Sequence, residues 1–208
     1  MVEDDRPASP EEILRVIEEQ SVATTKQLHG DPLLLYVPWG ISWVLGFTAI
    51  FLHYGLDGRS LAPIAQMQGV AVLLSAQMVA GAAAAYGIVK MNRLVRGDSS
   101  ARGAMFGYAW FLGMMLMVIL CVRLSPLLPV DERGLLWAGT SLLVVAVLQM
   151  AGGAIWLNWP MFFSGAWAAG VNALGVLLGP GWHALLVAVL LGGGFIALGL
   201  WLRLRRQT

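Results

Sequence analysis

The side chains able to do chemistry in this chain are few, and each stands alone in apolar surroundings. Three amides, Gln77, Gln149 and Asn172, fall inside long apolar runs, at similar distances from where those runs start. Brought together, they could hold or pass a polar solute. Kept apart, such amides act as glue between helices in a membrane, at about 0.6 kcal/mol each. His53 and His183 lie near the ends of their runs. No carboxylate or thiol at ligand spacing joins them, so the sequence assigns no metal site and reads both as isolated residues of the membrane interface. Cys121 has Arg123 as its one nearby base and reads as a buried apolar residue. Paired carboxylates, a Ser-His-Asp set, an HExxH motif and a phosphate-cradling loop are all missing from the sequence. No catalytic or cofactor-binding residue is therefore assigned, no cofactor is expected, and the chain reads as a non-enzyme. The apolar runs contain no Asp, Glu, Lys or Arg. Charges within the membrane usually mark ion and proton pathways, so their absence argues against a proton-coupled pump.

One pattern recurs among these runs. Trp39-Gly40-Ile41-Ser42-Trp43-Val44-Leu45-Gly46 is followed by Phe106-Gly107-Tyr108-Ala109-Trp110-Phe111-Leu112-Gly113 and by Phe163-Ser164-Gly165-Ala166-Trp167-Ala168-Ala169-Gly170. On a helix, Trp and the Gly three residues later share a face. The spacing has two readings. Trp43, Trp110 and Trp167 could line one central pocket. Alternatively, they are interfacial anchors, while Gly46, Gly113 and Gly170 let neighbouring helices approach. Both readings treat the chain as three repeated two-helix hairpins.

The elements that must position these residues are transmembrane helices. Of the 208 residues, 58% are hydrophobic and 12% charged, against about 25% charged in a soluble domain. Six uncharged runs are long enough to cross a hydrocarbon core: about 33–54, 62–89, 104–122, 135–157, 161–178 and 182–202. The expected fold is all-α, an integral membrane six-helix bundle over 33–208. Whether the fourth and fifth runs are separate helices stays open, because only Asn158-Trp159-Pro160 divides them. Residues 1–32 form an acidic segment, with eight acids against three bases. Ser9-Pro10-Glu11-Glu12 begins a short helix there, to about Leu28. Lys90, Arg93, Arg96 and Arg102 make the loop after the second run basic, and Arg203, Arg205 and Arg206 make the tail basic. By the positive-inside rule, loop and tail both face the cytoplasm, and six spans place the N-terminus there too.

The acidic N-terminal helix running into Asp31-Pro32 and then Pro38-Trp39-Gly40-Ile41-Ser42-Trp43-Val44-Leu45-Gly46 resembles a group of small, uncharacterised bacterial multi-pass membrane proteins of a generic transport-associated type. The resemblance covers the N-terminal helix and first span, about a quarter of the chain. It implies a cytoplasmic (inner) membrane location, and it carries no substrate, cofactor or catalytic residue with it. Two functions are expected from the sequence. The first is a transport-related protein, either a small permease or the membrane subunit of a transporter. The second is a membrane anchor or regulator that docks a cytosolic protein through its acidic segment or basic loop. The lipid bilayer is the certain partner, a protein partner and a homo-oligomer both stay open, and nothing points to nucleic acid.

Overall fold

The computed structural model describes residues 31–56, 58–92 and 98–205, with Ser9 and Leu14 besides. The helix expected from Ser9 to about Leu28 and the centre of the basic loop lie outside the described residues. Those that are described form six helices, each long and apolar enough to cross a membrane, and no strand. They are α1 Pro32–Tyr54, α2 Gln66–Asn92, α3 Asp98–Leu124, α4 Val130–Ile155, α5 Trp159–Leu178 and α6 Pro180–Arg205. The protein is an all-α, multi-pass membrane protein. In hydrocarbon, a helix satisfies its own backbone polar groups, which is why the apolar runs take this form.

Hydropathy alone misplaces several helix ends. Helix α3 starts six residues before the apolar run at 104, and α4 starts five residues before the run at 135. Helical hydrogen bonding continues into charged residues beyond the hydrocarbon, where hydropathy has no signal. In α2 the reverse holds: residues 62–65 belong to the preceding loop, which closes through Leu61 and Ala62 amides donating to the Leu52 carbonyl. The fourth and fifth runs are two helices. Asn158 caps α5 by accepting from the Met161 amide at 3.1 Å, and Pro160 sits in its first turn. The turn between them puts Leu157 at φ 50°, a left-handed conformation that costs a side-chain-bearing residue about 1–2 kcal/mol. Leu157 is 87% exposed and packs on little. Replacing it with glycine should therefore raise the melting temperature in detergent, by an increment equivalent to about 1 kcal/mol. An unchanged or lowered melting temperature would refute this account of the turn.

Helix α1 also departs from a straight rod. The Asp31 carboxylate accepts from the Leu33 amide at 3.0 Å and starts the helix over Pro32–Leu35. Pro38 has no N–H for the carbonyl four residues back, so the chain turns at Tyr36 before continuing as Val37–Tyr54.

In space the helices follow the order α2–α1–α6–α5–α4–α3. The fully buried cluster is built by α1, α6, α5 and α4, with Trp43, Phe47, Leu142, Ala168, Leu191 and Phe195 among its members. Helices α2 and α3 flank it. This packing does not divide into three equivalent hairpins. The α4–α5 pair is among the most extensive, α1 lies along the whole of α6, and α3 holds α4 by a much smaller surface. The α1–α6 and α4–α5 pairings thus join helices that the hairpin reading assigns to different units, while the equally extensive α1–α2 pairing stays within one.

Glycines set the close crossings. A Cβ on Gly40 would lie 2.6 Å from the Gly192 carbonyl oxygen, and one on Gly192 would lie 2.9 Å from that of Gly40, so α1 and α6 touch backbone to backbone. On α5, a Cβ on Gly165 would come within 2.7 Å of the Ala146 oxygen and the Met150 nitrogen of α4. Such small-residue contacts replace the hydrophobic effect as the source of helix association in lipid.

Candidate functional site

A polar node sits where α4, α5 and α6 meet. Asn172 is 7% exposed and His183 is 2% exposed. The Asn172 Nδ2 donates to the Gly139 carbonyl of α4 at 2.9 Å, leaving its Oδ1 to face His183 Nε2 at 2.9 Å. That orientation places the imidazole proton on Nε2, which donates to the amide oxygen. The ring occupies the space left by Gly175, where a Cβ would fall 2.8 Å from His183 Cδ2. Phe47 of α1 closes the node, with its ring centroid 6.0 Å from that of His183. One amide and one imidazole therefore tie three helices together and contact a fourth. Their chemistry here is mutual hydrogen-bond satisfaction, which an apolar interior demands of buried polar groups.

The node corrects one expectation and divides another. His183 is a buried, hydrogen-bonded core residue and not an isolated one. Sequence cannot show this, because its partner lies eleven residues away on another helix. His53 stays near the surface and bonds the Ile64 carbonyl through Nδ1 at 2.8 Å, pinning the α1–α2 loop. The three amides do not cluster. Gln149 lies ten residues beyond Gly139 on α4, about 15 Å along the helix from the node. Gln77 is on α2, outside the four-helix core. Both are half-buried, and neither side chain has a hydrogen-bond partner among the described residues.

The three Trp-Gly pairs meet different surroundings. Trp43 is buried against Phe195 of α6, centroids 4.7 Å apart and edge-on. Trp167 is half exposed, but its indole N–H reaches α6 and donates to the Leu190 carbonyl at 3.0 Å. Trp110 is half-buried on the outlying α3, 6.3 Å from Phe106. No shared pocket joins them: Trp43 and Trp167 lie on different neighbours of α6, and Trp110 is on another helix pair. Nor are Trp43 and Trp167 interfacial, since both sit in the middle of their helices. Trp137, Trp156, Trp159, Trp182 and Trp201, near the helix ends and partly exposed, are placed as an aromatic belt would be. Arg205 lies over the Trp201 ring at 4.1 Å. Of the paired glycines, Gly46 receives Leu73 of α2, Gly113 faces Val144 of α4 at 3.3 Å, and a Cβ on Gly170 would meet nothing within 4 Å. Gly170 is thus not a packing glycine in this fold, because its helix turns that face outward.

Two features escape a reading of the sequence. The first is in α6, where residues Val187–Gly192 form a π-helical segment at mid-length. Such segments concentrate at functional sites. The sequence signal is Gly192-Gly193-Gly194 at its end. The second is the outward face of α3. This helix is attached along one side by Phe106 against Trp156 (4.7 Å), by Cys121 Sγ to Thr140 Oγ1 (3.0 Å), and by Trp137 Nε1 donating to Ser125 Oγ (2.9 Å). The surface left open carries Gly103 and Gly107, where added Cβ atoms would meet nothing within 4 Å, and a shallow apolar groove lined by Trp110, Phe111, Met114 and Met115. Gly103 and Gly107 stand four apart, the GxxxG spacing of transmembrane helix pairs.

The two ends of the bundle are joined differently. At one end, Arg203 of α6 pairs with Asp31 of α1 at 3.5 Å, which places the start of the first helix beside the end of the last. At the other, a Cβ on Gly181 would overlap the Gly55 carbonyl, so α6 begins hard against the α1–α2 loop. Tyr54 and Gln66 share a 2.8 Å hydrogen bond there. Comparison with known proteins adds no relative: no family model matches the chain, and neither does any curated protein or solved structure.

Proposed function

We propose that this is a transport-related protein of the cytoplasmic membrane, with the Asp31–Arg203 end of the bundle inside. The observation that supports transport is the interruption of α6. A π segment that ends on Gly192 and is followed by Gly193 and Gly194 lies at mid-length in the helix that packs along both α1 and α5. Transporters commonly place irregular helices at this depth, where helical hydrogen bonding gives way around a translocated solute. The orientation rests on the basic residues of the 90–102 loop and of the tail. The test is uptake and efflux in cells lacking the protein, measured across a broad panel of ions, sugars, amino acids and lipid-like amines. At least one solute class should change several-fold and be restored by the wild-type chain. No change across the panel would end this reading.

A second reading, a membrane subunit or anchor held by another protein, is favoured by α3. Its open glycine face and adjoining apolar groove suit a partner helix. Mass measurement of the protein extracted from its own membrane in mild detergent tests it. A second polypeptide in fixed ratio, lost in Gly107→Leu while the fold is kept, is the expected result. A monomer in both wild type and variant would refute it.

A further inference from the structure

Helix α6 is fastened at both ends and irregular between them. His183 is bonded to Asn172, and Gly181 abuts the Gly55 carbonyl, near its start. Near its end Gly199 lies close against Val37 and Tyr36, and Arg203 pairs with Asp31. Between these anchors stand the π segment Val187–Gly192 and then Gly193 and Gly194. A π turn holds one residue more than the α turns around it. It can shift along a helix while both ends stay in place, and each residue it passes rotates by about 100°. A helix with fixed ends has this motion open to it, provided the residues in the path carry no side chain that must cross a neighbour.

The path toward the Asp31 end is clear in this sense. Gly192, Gly193 and Gly194 have no side chains to swing. A Cβ at Gly193 would meet nothing within 4 Å, so close packing does not account for a glycine there. What holds the π turn in its present position is a bond from outside the helix, the Trp167 indole N–H to the Leu190 carbonyl within the segment. That bond satisfies a carbonyl in apolar surroundings and is specific to this register of the turn. Moving the turn on toward Gly193 and Gly194 would break it and re-face Gly192 against Gly40 and Val44 of α1, where the two helices touch backbone to backbone.

We propose that α6 contains a migrating π turn, latched by Trp167, which changes the α1–α6 contact while the ends of the helix stay fixed. The proposal deepens the transport reading, since it supplies the moving part that reading needs. Hydrogen exchange on the purified full chain in detergent tests it without any solute, so a negative result here leaves the uptake assay to decide transport separately. In Trp167→Phe the ring stays and the donor is lost. Amides of residues 187–194 should exchange about three- to tenfold faster, the population change expected for losing one interhelical hydrogen bond in a membrane protein. Those of 164–172 and 199–205 should be unchanged. Gly193→Ala, which has room for its methyl group, should slow exchange over 187–194 by stiffening the path, and this holds as a test even if the Trp167 variant fails to accumulate. Wild-type rates over 187–194 in either variant would overturn the proposal. So would an equal acceleration over α5 and both ends of α6 in Trp167→Phe, because that is general loosening and not release of a latch.

Discussion

Gly46→Leu is expected to abolish accumulation of folded protein, and Gly170→Leu to leave both yield and melting temperature unchanged. The two glycines hold the same place in a repeated sequence pattern, so sequence offers no reason to separate them. A Cβ at Gly46 would lie 2.6 Å from Leu73 Cα and 2.6 Å from Leu73 Cβ on α2. Neither of those atoms is the end of a flexible side chain, so relief requires α2 to move off α1. Overpacking a close interface costs typically 1–3 kcal/mol and more where backbone must shift, and Leu adds three carbons beyond the Cβ. At Gly170 the same atom would meet nothing within 4 Å, and substitutions without packing consequences fall within about 0.5 kcal/mol. Gly113→Leu should fall between them, since Val144 Cγ1 at 3.3 Å is a side-chain tip with some freedom to yield. Size-exclusion melting curves of the three variants in one detergent decide the matter. Equal tolerance at positions 46 and 170 would mean that α1 and α2 do not pack as described.

Asn172→Leu should destabilise the bundle by about 1–3 kcal/mol, well above the average for a polar pair in a membrane protein. The usual figure is small because a polar group released from one partner finds another. Here the group left behind is held. The Gly139 carbonyl keeps its helical bond from the Leu143 amide, but His183 is wedged into the space at Gly175 beneath Phe47. Its ring N–H would become an unsatisfied buried donor, at about 1–3 kcal/mol before relaxation. His183→Leu should cost less, because Asn172 keeps its bond to Gly139. The double variant should be no worse than Asn172→Leu alone, since removing His183 also removes the orphaned group. Melting temperatures of the four proteins form the cycle. Strict additivity of the two single losses would show that Asn172 and His183 do not act as one unit.

Much about this protein follows from its sequence without any coordinates. Long uncharged runs have one solution in hydrocarbon, a self-satisfied helix, so the number of spans and their class were legible from composition and run length. So were several local devices. Asp31 before Pro32 and Asn158 before Pro160 act within a few residues of themselves, and capping chemistry depends on nothing further away. Helix ends were less legible, because hydropathy records the hydrocarbon boundary while helices such as α3 and α4 continue past it. The relations between helices were not legible at all. Apolar faces look alike in a sequence when lipid and protein are equally greasy, so nothing in the pattern says that Trp43 turns inward, Trp167 reaches across to Leu190, and Gly170 faces out. The repeated motif suggested three equivalent hairpins. Tertiary packing decided instead on a core of α1, α4, α5 and α6, because the backbone contacts at Gly40, Gly165 and Gly192 form only between particular helices. The same holds for the polar groups. Gln77, Gln149 and Asn172 are one residue class at similar counts along their runs, yet Asn172 alone finds partners, Gly139 and His183, because fixed side-chain hydrogen bonds in lipid depend on where three separate helices meet.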